Sequence, residues 1–202
     1  MARPTTRLLS PSIIADAALR LVAKHGEFTI PGLAAALDVH PSSLYHHLPG
    51  GRRAIVHRMR ERLYESIDLG PARDQSRSPL DRLRQWMRAY REATAAVPVA
   101  VAVLVGASVE DDCTLEIYEA LFVILREAGV PADRRVACSA MIDAVVLGSA
   151  IDAASPVPLW RGVDERYEEL RSVAVHDDRG RAHAGFDLAV EAVVSAVERF
   201  AR

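Results

Sequence analysis

Apolar residues recur at helical spacing in blocks along most of the chain, and the breaks between blocks fall on residues that start or stop helices. From Pro11 to Lys24, Ile14, Ala17, Ala18, Leu21 and Val22 form one stripe, which His25-Gly26 ends. Thr29 is suited to cap a second helix. Pro31 falls within its first turn, where the missing N–H is no loss, and Leu33, Ala34 and Leu37 supply an apolar face. Asp38-Val39 interrupts the run, and a third helix restarts at His40 or Pro41, with Leu44 and Leu48 facing inward. Ser42, Ser43, Tyr45 and His46 are left facing outward. A fourth block, Arg52 to Ile67, carries Ile55, Met59, Leu63 and Ile67 at spacings of four, with Arg53, Arg58, Arg60 and Arg62 between them. The order is helix, helix-turn-helix, long basic helix.

The pattern after Ile67 is less regular. LGPARDQSRSP reads as a linker. Leu80–Val97 predicts an amphipathic helix with Leu83, Met87 and Tyr90 on one face. Val97–Val109 alternates like a strand yet opens with a Pro placed for a helix start, so the pattern leaves both readings open. Glu116–Ala128, with Ile117, Leu121, Phe122 and Leu125, predicts a helix closed by Gly129 and Pro131. Arg135–Ala154 is apolar almost all round, interrupted by Asp143 and Asp152. A helix of that kind has to be buried on every side, which sends part of it, around Met141, Val145 and Gly148, toward a second subunit. In Phe186–Arg202, Phe186, Val190, Val193, Val197 and Phe200 step by four, three, four, three. That seam fits a homodimer interface, and periodicity alone equally allows the helix to cap its own core. Between these helices, residues 155–185 read as a loop framing a short helix around Asp164–Val173.

With 202 residues, 50% of them hydrophobic and 26% charged, the chain is expected to be soluble and globular, with one or two domains. Charge divides it: residues 1–66 hold nine Lys/Arg against five Asp/Glu, and residues 67–202 hold sixteen against twenty-two. A basic head on an acidic body is the asymmetry of a DNA-binding segment joined to something else. Arg3 and Arg7 could extend that head as an arm. Cys113 and Cys138 have no metal-ligand spacing and suit reduced thiols. The thirteen-residue run Val97–Val109 is too short to span a bilayer, and no signal-peptide pattern opens the chain. The expectation is a cytoplasmic protein that does not engage a membrane.

The candidate chemistry lies on the outward face of the third helix. Solvated helices usually present Lys and Glu, whereas the small hydroxyls and flat rings of Ser42, Ser43, Tyr45 and His46 can approach phosphates and base edges closely. Thr29, Arg52 and Arg53 flank them. Catalysis has little to build on. His46-His47, Asp111-Asp112 and His176-Asp177-Asp178 are adjacent pairs and a triplet. Neighbours on a helix point about 100° apart and cannot easily chelate one ion. No HExxH, GxSxG, Walker or GxGxxG arrangement is present. No enzyme activity, metal or cofactor is expected.

FTIPGLAAALDV, then SSLYHHL, then RRAIV, within residues 8–67, resemble the N-terminal domain of the TetR family of transcriptional repressors. The stretch covers about a third of the chain, and its Leu-Tyr-x-His core is fairly specific to that family. The resemblance implies an all-α chain: an N-terminal three-helix helix-turn-helix domain (8–67) joined by a long helix to a helical effector-binding and dimerisation domain (68–202). It favours the helical reading of Val97–Val109. It also implies a homodimer, joined through the last helices, on a palindromic double-stranded DNA operator and released by a small-molecule inducer. The inducer pocket is expected within residues 80–180, with Trp86, Met87, Tyr90, Leu104, Phe122, Leu125, Met141 and Trp160 as candidate lining. Asp143, a carboxylate in an apolar helix, needs a partner: an Arg from another helix is expected, ahead of a cationic or hydroxylated ligand. The chain departs from the family in having Asp38 where Gly is usual, no basic residue near Pro31, and a PGGRRAI segment one residue longer. Whether Arg52 or Arg53 meets phosphate is left open. The alternative is a helical adaptor that has kept the hairpin and lost DNA binding.

Overall fold

Ser10 accepts a hydrogen bond from the Ile13 N–H and caps the first helix, with Pro11 in its first turn. In the computed structural model, which describes residues 9–176 and 180–201, it is α1 (Pro11–His25), closed by Gly26 at φ 82°. Then follow α2 (Ile30–Ala36), α3 (Pro41–His47), α4 (Arg52–Tyr64), α5 (Gly70–Arg73), α6 (Pro79–Ala95) and α7 (Ala100–Val105). The chain continues through α8 (Asp112–Glu127), α9 (Ala132–Asp152), α10 (Glu168–Ala174) and α11 (Arg181–Phe200). No strand occurs among the described residues. Arg3, Arg7 and the Asp177-Asp178 pair lie outside them.

The chain divides into two units. The first takes in the described residues up to Ser66 together with Val99–Glu116. In it α1 packs on α4, α2 and α7, and α2 packs on α3. Its core is built from Ile14, Ala18, Val22, Phe28, Leu33, Leu44, Ile55 and Met59, all buried. Each of these side chains larger than alanine contributes roughly 1.5–3 kcal/mol on burial. The fourth helix stops at Tyr64 rather than Ile67, and the presumed linker is not featureless. Asp68 accepts the Gly70 N–H at 2.8 Å and starts α5, while Asp74 accepts the Ser76 N–H at 3.0 Å in a tight turn.

The second unit takes in Ile67–Pro98 and the described part of Ile117–Arg202. Here α6 packs on α5, α9 and α11, and α9 packs on α11. Leu83, Trp86, Met87 and Tyr90 from α6 meet a core completed by Ile117, Leu121, Ile124 and Leu125 from α8 and by Ile142 and Val146 from α9. The last helix fills the remaining side, and this corrects the sequence expectation. Phe186, Val190, Val193 and Val197 are all at most 4% exposed in the single chain, so they leave almost no surface for a second one. A heptad-like stripe records only that one face is dry, and the nearest dry surface is the neighbouring α6 and α9. Phe200, the last member of the stripe, is exposed. Nor is α9 buried all round: one face is in the core, and Ala137, Ala140, Ala144, Gly148 and Ile151 are exposed on the other. Met141 and Val145 lie half-buried between those faces.

Candidate nucleic-acid interface

The helix-turn-helix is assembled by local chemistry. Thr29 Oγ1 accepts the Gly32 N–H at 3.1 Å and caps α2. At the turn, Leu37 ends α2 and Asp38 takes a left-handed conformation, φ 54°, which lets Val39 N–H reach back to Ala34 O at 3.1 Å. The departure from glycine at this position therefore sits on a backbone that does require positive φ. His40 caps α3 unusually, its Nδ1 accepting the Ser42 N–H at 3.3 Å, and Pro41 occupies the first turn.

That cap decides what α3 shows. Leu44 is buried and anchors the helix, while Leu48 is only half-buried. Ser42 is exposed, but its hydroxyl lies 2.8 Å from His40 Nδ1 and is partly engaged. Ser43 is half-buried, whereas Tyr45 and His46 are exposed. The His46 and His47 rings stand edge-on, 5.4 Å apart at 82°, a stacking contact rather than a chelating one. Among the described residues no group of three His, Cys, Asp or Glu side chains could hold a metal ion.

A glycine that the sequence reading passed over fixes the aromatic. Gly51, at φ 59°, sits under the Tyr45 ring: a Cβ there would lie 2.9 Å from Tyr45 Cε1. Any side chain at this position would push the tyrosine ring aside. A Tyr five residues ahead of a Gly-Gly pair was the available signal, without a rule to interpret it.

Arg52 and Arg53 are separated by their surroundings. The Arg52 guanidinium donates to Phe28 O and stacks 4.4 Å from the Phe28 ring centroid, so it ties α4 to the start of α2. Arg53, one residue on, is exposed beside Pro49, Gly50 and His57. The first turn of α4 has no acidic residue and no side-chain cap, which leaves its N–H groups and partial positive charge open to an anion.

Arg60 does not belong to the basic face. It is buried, and it donates to Leu104 O at 2.6 Å, Ala107 O at 2.7 Å and Ser108 O at 2.9 Å, with Asp111 Oδ2 3.5 Å away. These are carbonyls at the C-terminal end of α7, where a helix favours a cation. Val56 and Tyr64, four residues to either side and both buried, were the readable sign that this arginine points inward. The same α7–α8 segment brings Glu110, Asp111, Asp112 and Glu116 into the unit, so nine basic residues meet five plus four acidic ones. Over the whole first unit the basic surplus of residues 1–66 is therefore cancelled.

The pocket candidates scatter. Trp86 and Tyr90 are core side chains: Trp86 Nε1 donates to Ile117 O at 2.9 Å, and its ring lies 5.0 Å from that of Tyr90. Leu104 belongs to the other unit, where it is buried on α7. Phe122 and Met141 are half-buried, and Trp160 is exposed. Among the described residues Asp143 meets no arginine, contrary to expectation. Its Oδ2 accepts the Tyr118 hydroxyl at 2.9 Å, and its buried Oδ1 has no hydrogen-bond partner. Burial pushes this carboxyl up to about 6 even though the Tyr118 hydrogen bond pulls it down. Cys113 and Cys138 are free thiols, and burial pushes both above the ordinary thiol value.

No protein-family model and no curated protein matches the sequence. Solved structures do. A chain from Streptomyces coelicolor described as a possible TetR family transcriptional regulator matches over 94% of this chain and 99% of its own, at 19% identity and a TM-score of 0.77. ActR from Streptomyces coelicolor in complex with actinorhodin matches over 96% and 98%, at 15% identity and a TM-score of 0.75. A TetR variant from Acinetobacter baumannii AYE in complex with minocycline matches over 96% and 99%, at 17% identity and a TM-score of 0.69. The likeness is one of fold, and it extends well beyond the N-terminal third: the chain has the all-helical TetR-family fold over nearly its whole length.

Proposed function

We propose that the chain is a transcriptional regulator, acting as a repressor, that reads a palindromic operator as a homodimer and is released by a small-molecule inducer. The observation that carries the reading is the outward face of α3. Tyr45 and His46 are exposed there on a helix anchored by the buried Leu44, in helix-turn-helix order after α2. In this reading α3 enters the major groove and Tyr45, His46 and the Ser43 hydroxyl approach base edges. Ser42 and the Thr29 cap lie against the backbone. Arg53 and the uncapped start of α4 hold a phosphate, and Arg52 shapes the site without touching DNA.

Two such helices fit successive grooves only at a separation of about 34–36 Å or a multiple of it. A homodimer supplies that spacing, and its interface belongs on the face opposite the core stripe. Ala137, Ala140, Ala144, Gly148 and Ile151 of α9 lie on exposed helical positions, as do Gly185, Leu188 and Ala192 of α11, with Leu188 75% exposed. Small residues let helices approach closely, and a Cβ added at Gly148 or Gly185 would meet nothing within 4 Å. Response to a small molecule is supported by the fold neighbours solved with actinorhodin and with minocycline. The inducer lowers DNA affinity by binding the DNA-incompetent state more tightly, and DNA weakens the inducer's binding by the same factor. The thiol state of Cys113 and Cys138 suits the cytoplasm, and no helix among the described residues is long and apolar enough to cross a membrane.

Sedimentation and gel shift on an inverted repeat from the promoter region upstream of the coding sequence test the reading together. The expected result is a dimer that shifts the repeat and releases it as salt rises, with Leu188→Glu yielding monomers that no longer shift it. A chain that self-associates yet binds no DNA at any salt concentration would be an adaptor, and a stable monomer would overturn the dimer.

A further inference from the structure

Outside the head, one nearly buried cation lacks a carboxylate partner among the described residues: Arg91 on α6. It is only 6% exposed. Its Nε donates to Ser149 Oγ at 2.8 Å, one Nη reaches Ala182 O at 3.5 Å, and its guanidinium plane lies 4.7 Å from the Phe186 ring centroid. A guanidinium has five N–H groups. Two are used, which leaves three without a protein acceptor among the described residues. The other arginines of this helix are paired: Arg82 with Glu127, Arg84 with Glu191 and Asp81, Arg88 with Asp187. A nearly buried cation without a counter-ion is expensive, and the usual resolution is an anion brought by something else.

Arg91 also borders a cavity. A cleft of about 670 Å³ lies between the C-terminal half of α6 and the start of α11, lined by Arg91, Arg88, Glu92, Ala95, His183 and Phe186 among others. Its size is that of a small-molecule site, and its walls are of two kinds: the Arg91 guanidinium, and an apolar shelf of Ala95 and Ala96 beside the largely buried Phe186. The rim limits what can enter. Arg88 is neutralised by Asp187 at 3.1 Å, and Glu92 is exposed, so a second negative charge on the ligand would meet no free cation and would face a carboxylate.

We propose that this cleft binds a small organic monoanion, its carboxylate on the free N–H groups of Arg91 and its flat apolar body against Ala95 and Ala96. The consequence for DNA rests on the regulator reading above; the binding itself does not. Ser149 then acts as a positioning residue, holding the guanidinium edge-on to the cleft through its bond to Nε.

Calorimetric titration of the full chain with 2-naphthoate, and with its uncharged twin 2-naphthamide, tests the site. Naphthoate is expected to bind at least about tenfold more tightly than naphthamide, because only the anion can make charge-assisted bonds to Arg91. Arg91→Gln should remove that preference. Since a buried arginine is a risky substitution, Ala95→Leu provides a second variant that fills the shelf and leaves every charge in place. With its helical circular dichroism intact, it should weaken naphthoate about tenfold or more. Equal binding of the two probes, no heat at millimolar naphthoate, or undiminished binding by folded Ala95→Leu would each overturn the proposal and leave Arg91 a core residue. A gel shift run with and without naphthoate separates the two claims. Loss of naphthoate binding with DNA binding intact defeats the cleft alone, and absence of any DNA shift defeats the regulator reading while the titration still decides the cleft.

Discussion

The third helix and the last one both carry a periodic face, and they dispose of it in opposite ways. On α3 the polar face stays outward, with Tyr45 and His46 exposed, while Leu44 alone is driven into the core. On α11 the apolar stripe turns inward onto its own unit, and the face left for a partner is a different one, around Leu188. The contrast teaches an asymmetry of inference. A helix as short as α3 can bury only one side, so its polar face has one place to go. A dry stripe has two, its own core or another chain, and within one subunit the core is reached first at no translational cost.

The largest expected effect breaks this contrast directly. Phe186→Ala should destabilise the second unit by about 3–5 kcal/mol, as a large-to-small change in a packed core does. Thermal unfolding followed by circular dichroism should show this loss at every protein concentration. A variant that stays equally stable but dissociates on dilution would return Phe186 to an interface. The outward face of α3 is tested next. Tyr45→Ala and His46→Ala should each weaken operator binding by about 1–3 kcal/mol and non-specific DNA binding far less, measured by anisotropy on matched and scrambled duplexes. Equal losses on both duplexes would make these residues scaffold.

How much of this was legible follows from the range of the interactions that decide each feature. The cap at Thr29, the prolines of α2 and α3, the stop at Gly26 and the buried Leu44 are settled within four residues of chain, and the sequence displays them. The long-range choices are absent from it. Val56 and Tyr64 mark Arg60 as the inward one of the pair Arg60 and Arg62, yet nothing local shows that Arg60 meets the Leu104 and Ala107 carbonyls or that Arg62 pairs with Asp16 at 2.8 Å in solvent. Asp143 was readable as a carboxylate in need of a partner, and the partner, Tyr118, sits 25 residues away, where no local pattern points to it. The joining of Val99–Glu116 to the head is of the same kind, since only α7's contacts with α1 and α4 reveal it.

Two smaller effects sharpen the division between short-range and long-range features. Arg53→Glu should reduce the slope of log affinity against log salt by about one or more, because one phosphate contact is lost and one repulsion gained. Arg52→Ala should leave that slope nearly unchanged and lower the melting temperature, since its guanidinium serves Phe28. An equal slope change in both would mean that the bond to Phe28 does not hold Arg52 away from DNA. For Asp143 the quantity to follow is pH. Its folded value of about 6 lies above the ordinary 3.8, so between those values the folded state holds a proton that the unfolded state has released. Stability therefore falls as pH rises through that window and stays lowered above it. Asp143→Asn, which still accepts from Tyr118, should remove this slope and gain about 1 kcal/mol at neutral pH once solvent screening is allowed for. Urea unfolding of the two proteins at acid and neutral pH reads it, and parallel pH profiles would show that the carboxyl is ionised in the fold.

The smallest effect concerns the turn itself. Asp38 at φ 54° occupies a backbone region that costs an L residue roughly 1–2 kcal/mol, less for Asp than for most because its short side chain can bond locally. Glycine removes that strain but loses more chain entropy on folding. Asp38→Gly should therefore stabilise the head by no more than about 1 kcal/mol, the difference of two opposed terms of similar size. It also removes an exposed negative charge beside α3, so DNA affinity should rise slightly at low salt and by less at high salt. If Asp38→Gly destabilises the head instead, the aspartate makes a local bond worth more than its strain. The helix-turn-helix of this chain would then be held by a side chain where backbone freedom usually suffices.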